Sequence, residues 1–111
     1  MKFTLYGFEW EVEFLDKDDP VFGGSSDGKT LYNDAKIVVR KDMNPQIIKS
    51  TLIHELTHAV LEIQGRVYQR KFDREDVCEF MGFCGETIVS IANDIYKHYF
   101  TGVKMYEESN D

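Results

Sequence analysis

The chain has 111 residues, 42% hydrophobic and 30% charged, with a formal net charge of −7. That length suits one domain with a hydrophobic core of its own, and a second independent domain is not expected. The acidic balance argues against a nucleic-acid surface, which needs clustered Lys and Arg, and no apolar run is long enough to span a bilayer.

From the N-terminus, Phe3, Leu5, Phe8, Trp10, Val12 and Phe14 recur nearly every second residue, with Lys2, Glu9, Glu11 and Glu13 between them. This alternation predicts a half-buried strand or a hairpin bent near Gly7, and it is not the unbroken apolar stretch of a secretory signal. Residues 16–29, rich in Asp, Gly and Ser and containing Pro20, predict a loop. Gly23 to Gly28 lacks the lysine and following helix of a phosphate-binding loop. The segment 31–40 carries Ile37, Val38 and Val39, a β-rich run that predicts another strand.

Asn44-Pro45 is a helix start: asparagine can cap, and proline is tolerated at the first helical position. Ile48, Leu52, Ile53, Leu56, Ala59, Val60 and Ile63 then mark one helix face, and Gly65 ends it. After a short basic loop, Arg66 to Lys71, the run Asp73-Arg74-Glu75-Asp76 can cap a second helix and supply its acidic first turn. Val77, Phe80, Met81, Cys84, Ile88, Ile91, Ala92, Ile95 and Tyr99 make that helix long and amphipathic, with Gly102 closing it and Glu107 to Asp111 frayed. The expected fold is α+β, a small N-terminal antiparallel or mixed sheet packed on two main helices. Cys78 and Cys84, six apart on a helix, face different sides, so no internal disulfide is expected. With no Asn-x-Ser/Thr acceptor, these features point to a reducing cytoplasm.

The chemistry lies in His54-Glu55-Leu56-Thr57-His58, an H-E-x-x-H motif inside the first helix. Histidines four apart lie one above the other and can share one zinc ion, as two ligands of a metallopeptidase site. Glu55 leaves the helix about 100° round, where it cannot comfortably ligate the same ion but can reach its water. Neutral imidazoles leave the metal its Lewis acidity, while the carboxylate serves as general base. The competing reading is that His54 and His58 are ordinary surface histidines on the polar side of an amphipathic helix.

A catalytic zinc site needs a third protein ligand. The extended H-E-x-x-H-x-x-G-x-x-H pattern fails, since Leu61 and Gln64 stand at its glycine and last histidine, so the chain is not a metzincin. Glu75, Glu79 and Glu86 share a stripe of the second helix at spacings of four and seven. Glu75 is the first choice, with Glu79 and Glu86 as alternatives; Glu79 could also steady a ligand histidine from behind. His98 is a weaker candidate. Tyr32 or Tyr68 could donate to an oxyanion, and spacing does not choose between them. Cys78 and Cys84 read as core thiols, because C-x₅-C is not a zinc-knuckle spacing.

The strand-like IVV, the short Asp/Asn/Pro link, STLIHELTHAVLE and the acidic helix opening EDVCEFMG make residues 37–79 resemble the ImmA/IrrE-type minimal gluzincin peptidases, including small phage and mobile-element versions. In that family the helix after H-E-x-x-H begins Glu-x-x-Ala and a polar residue; here Cys78 stands in the place of the alanine. The resemblance implies a cytoplasmic zinc endopeptidase acting on a regulatory protein. SprT-like proteases share the H-E-x-x-H motif. The alternative function is a protein-interaction module, stabilised by metal or free of it.

Overall fold

A computed structural model of the chain describes residues 1–65 and 73–109, with side chains as far as Thr101. The basic segment from Arg66 to Lys71, Tyr68 within it, and the last two residues, Asn110 and Asp111, lie outside the described residues.

The N-terminal alternation folds into a hairpin, β1 (Lys2–Leu5) and β2 (Phe8–Leu15). Its turn places both central residues at positive φ, Tyr6 at 49° and Gly7 at 83°. That backbone matches the twist of paired strands; glycine takes it freely and tyrosine does not. The expected loop 16–29 is more structured than its composition suggests. Asp19 caps a 3₁₀ turn over Pro20–Phe22 that buries Phe22, and Gly28 and Lys29 already belong to a further strand, β3 (Gly28–Leu31). A second 3₁₀ turn, Tyr32–Asp34, leads into β4 (Lys36–Arg40).

The sheet order is β1-β2-β4-β3; β2 and β4 run parallel, while the outer pairs are antiparallel. Ile37, Val38 and Val39 are buried on both faces of β4, as a continuous apolar run in a central strand requires. Ile37 and Val39 join Leu5, Trp10 and Val12 in the main core, whereas Val38 and Phe22 are buried outside that cluster.

Asn44 caps helix α1 (Pro45–Ile63), accepting from the Gln46 amide at 2.8 Å. Ile48, Leu52, Leu56, Ala59 and Val60 bury its apolar stripe against the sheet. Full burial of each Leu or Ile side chain contributes about 2 kcal/mol. Gly65, with φ 74°, closes the helix in the left-handed region.

Asp73 and Asp76 form a reciprocal capping box that opens α2 (Arg74–Phe80). A π-helical turn over Met81–Gly85 joins α2 to α3 (Glu86–Ser109). Two expectations change here. The wide turn inserts the equivalent of one residue between Glu79 and Glu86, so Glu86 leaves the stripe of Glu75 and Glu79 by about 100°. Helix α3 also passes through Gly102 and the expected frayed region as far as Ser109. An interior glycine costs a helix about 1 kcal/mol relative to alanine, without obliging it to stop. Phe80, Cys84, Ile88, Ala92 and Ile95 complete the core against α1 and the sheet. The result is an α+β fold. Among the described residues no helix is long and apolar enough to cross a membrane.

Candidate metal centre

On α1 the two histidines and the glutamate between them meet opposite environments. His54 and His58 stand on the solvent side, one turn apart, with ring centroids 4.9 Å apart and planes inclined at 67°. Glu55 lies at the margin of the apolar stripe beside Leu52, Leu56 and Ala59, and is 7% exposed. The 3.6-residue helical period makes this division: positions 54 and 58 share one side, and 55 turns inward.

A carboxylate in that position needs partners, since burial without hydrogen bonds is costly. The Thr30 hydroxyl reaches it from β3, with Oγ1 2.8 Å from Glu55 Oε1 and 3.0 Å from the Glu55 backbone carbonyl. The second carboxylate oxygen, Oε2, lies 3.9 Å from Nε2 of His54. That separation is too long for a hydrogen bond and forms an ion pair only when His54 is protonated.

Strand β3 approaches α1 closely. A β-carbon on Gly28 would fall 2.7 Å from Cγ2 of Thr51, 3.0 Å from the Val38 carbonyl and 3.2 Å from Cγ of Glu55. Glycine is needed here for space and not for φ. An open cleft of about 340 Å³, lined by Ser26, Asp27, Gly28, Ile47, Ser50, Thr51, His54 and Glu55, runs along this contact. β3 is an edge strand. The Arg40 amide donates to the Asp27 carbonyl at 2.9 Å, so antiparallel alternation turns the backbone N–H and C=O groups of Gly28 and Thr30 to the open edge.

Tyr32 follows β3. Burial, then the charges of Glu62 and Glu55, hold its hydroxyl above the usual phenol range, so it stays a donor at neutral pH. Of the two tyrosines named as oxyanion candidates, this one stands within the field of Glu55; Tyr68 is outside the described residues.

The remaining sequence-assigned groups do not join the pair. Among the described residues no cluster of three or more His, Cys, Asp or Glu could hold a metal ion. Glu75 and Glu79 are exposed on α2. His98 borders a cleft with Met1 to Thr4, at the sheet edge opposite β3. Cys78 is exposed and Cys84 buried, both free thiols. Cys84 accepts from Gln64 Nε2 at 2.9 Å, which makes it a core thiol and not a ligand. Of the three protein donors that a catalytic zinc needs, the described residues bring together two, the imidazoles on successive turns of one helix.

Sequence reasoning missed Thr30, Gly28 and Thr51. Thr30 is 25 residues from Glu55 in the chain, and a single threonine in a polar segment carries no local signal. Comparison with protein-family models, with curated proteins and with solved structures finds no match to this chain.

Proposed function

We propose that the chain is a zinc-dependent peptidase of the minimal gluzincin type that its H-E-x-x-H segment resembles, acting in the cytoplasm on a regulatory protein. The observation that carries this reading is the division of labour on α1. Two exposed imidazoles one turn apart flank a buried carboxylate with one oxygen tied down and the other turned toward His54, beside an open cleft. Surface histidines on a polar helix face do not require a buried, hydrogen-bonded glutamate between them.

His54 and His58 would hold the zinc; Glu75, or Glu79 in its place, would have to be brought up as the third ligand, since neither stands with the pair here. When bound, zinc supplies a Lewis acid that polarises a peptide carbonyl and lowers the pKa of water. The chain's own residues do the rest. Gly28 and Thr30 offer edge-strand N–H and C=O groups to an extended peptide, which orients it without reading its side chains. Glu55 takes a proton from the attacking water as its hydroxide adds to the carbonyl carbon, then returns it to the departing amine nitrogen as the C–N bond breaks. Tyr32 donates to the carbonyl oxygen as it gains charge.

The test is elemental analysis of the purified protein, followed by comparison of the parent with Glu55→Gln on a mixture of internally quenched peptides. The variant should keep its zinc and lose about 10²–10⁴-fold in kcat, the usual contribution of a general base. Equal turnover would remove Glu55 from its role. A second reading, a protein-binding module without catalysis, is favoured by exposed apolar side chains: Phe83 at 77%, Phe8 at 59% and Met81 at 52%. Stoichiometric zinc together with Glu55-dependent turnover would dispose of it.

A further inference from the structure

Resting on the peptidase reading, we infer that Thr30 is a positioning residue for the general base, and that Oε2 of Glu55 is the oxygen that handles the proton. A glutamate side chain has three torsions and, on a helix surface, samples several rotamers. Here the Thr30 hydroxyl stands within reach of both ends of one residue, the Oε1 atom at 2.8 Å and the backbone carbonyl at 3.0 Å. A hydroxyl has one proton, and the Oε1 contact is the shorter and is charge-assisted while Glu55 is ionised. Bonded there, Oε1 already accepts one hydrogen bond, and Oε2, with no such bond among the described residues, is left facing the His54 imidazole at 3.9 Å. The two oxygens of the carboxylate are therefore not equivalent.

Thr30 sits in a strand held to β4 over four paired positions, Gly28 to Leu31, and a β-carbon on Gly28 would come within 3.2 Å of Cγ of Glu55, so β3 lies close along one side of the glutamate stem. The other side opens on the cleft, where the Thr30 hydroxyl is what holds the carboxylate in place. An edge strand that orients peptide through its outward backbone groups also orients the base through an inward side chain. Substrate and base are then registered to one strand, which is the arrangement that keeps reacting groups in near-attack geometry.

The experiment uses the full chain loaded with zinc and compares the parent, Thr30→Val and Thr30→Ser. Valine keeps the shape and branching and removes the hydroxyl; serine keeps the hydroxyl. Turnover of internally quenched peptides should fall about tenfold or more in kcat for Thr30→Val, part of the general-base contribution, with KM and zinc content unchanged. Thr30→Ser should restore most of it. Three-bond couplings for the Glu55 side chain should report one rotamer in the parent and averaging in Thr30→Val. Parental kcat in Thr30→Val, or failure of serine to rescue an otherwise folded protein, would overturn the positioning role. If the zinc-loaded parent itself cleaves nothing, the peptidase reading falls. The couplings then decide on their own whether Thr30 positions Glu55: a single unchanged rotamer in Thr30→Val refutes it, and averaging upholds it.

Discussion

Replacing Gly28 by alanine tests whether β3 is seated on α1 as closely as the candidate site requires. Gly28 does not adopt a left-handed φ, so in open space the change would stabilise the protein by about 0.4–1 kcal/mol through the unfolded chain. The structure reverses that sign. The new methyl would lie 2.7 Å from Thr51 Cγ2 and 3.0 Å from the Val38 carbonyl, against an optimal carbon–carbon separation of about 3.5–4.0 Å. Thr51 is 8% exposed and the Val38 carbonyl belongs to the central strand β4, so neither yields without moving an element. Overpacking of this kind costs about 1–3 kcal/mol. In a domain of this size the corresponding fall in Tm is about 4–12 °C. Thermal unfolding followed by circular dichroism would measure it. A double variant, Gly28→Ala with Thr51→Ser, removes the methyl at 2.7 Å and should recover part of the loss, leaving the contacts with Val38 and Glu55. A Gly28→Ala protein as stable as the parent would show that β3 does not press on α1, and the route by which Thr30 reaches Glu55 would go with it.

Leu56→Ala removes a side chain with no exposure from the centre of the core and should cost about 2–5 kcal/mol, read as a lower urea midpoint at unchanged slope; a loss below about 1 kcal/mol would contradict the packing of α1 on the sheet. Lys36→Met tests the ion pairs with Glu13, at 2.7 Å, and Glu11, at 3.6 Å. Lys36 holds the Glu13 carboxyl below the usual glutamate range, so this stabilisation is present above the unfolded value and fades as pH falls through the lowered folded one. The difference between parent and variant in denaturation midpoint should therefore be present at neutral pH and vanish in strong acid; a difference that persisted there would assign the effect to the lysine stem and not to its charge.

Features encoded over a few neighbouring residues were legible before any contact between elements was known. The period-2 hairpin, the Asn44 and Asp73 caps, the Gly65 stop and the shared face of His54 and His58 each follow from backbone geometry over one or two turns. Even here the local code fell short where two outcomes differ little in energy. Gly102 lies inside a helix, and the π turn at Met81–Gly85 shifts the register that placed Glu86 with Glu75 and Glu79. That Gly28–Leu31 is a strand follows from its neighbours in space, because such a short polar strand gains its stability from pairing with β4 and not from propensity. The packing of elements makes that choice. It alone brought Thr30 to Glu55 across 25 residues, and placed His98 at the opposite sheet edge from the histidine pair. The difference is physical: helix caps and faces are fixed by neighbours in the chain, whereas the partner of a buried carboxylate is chosen by which elements the core presses together.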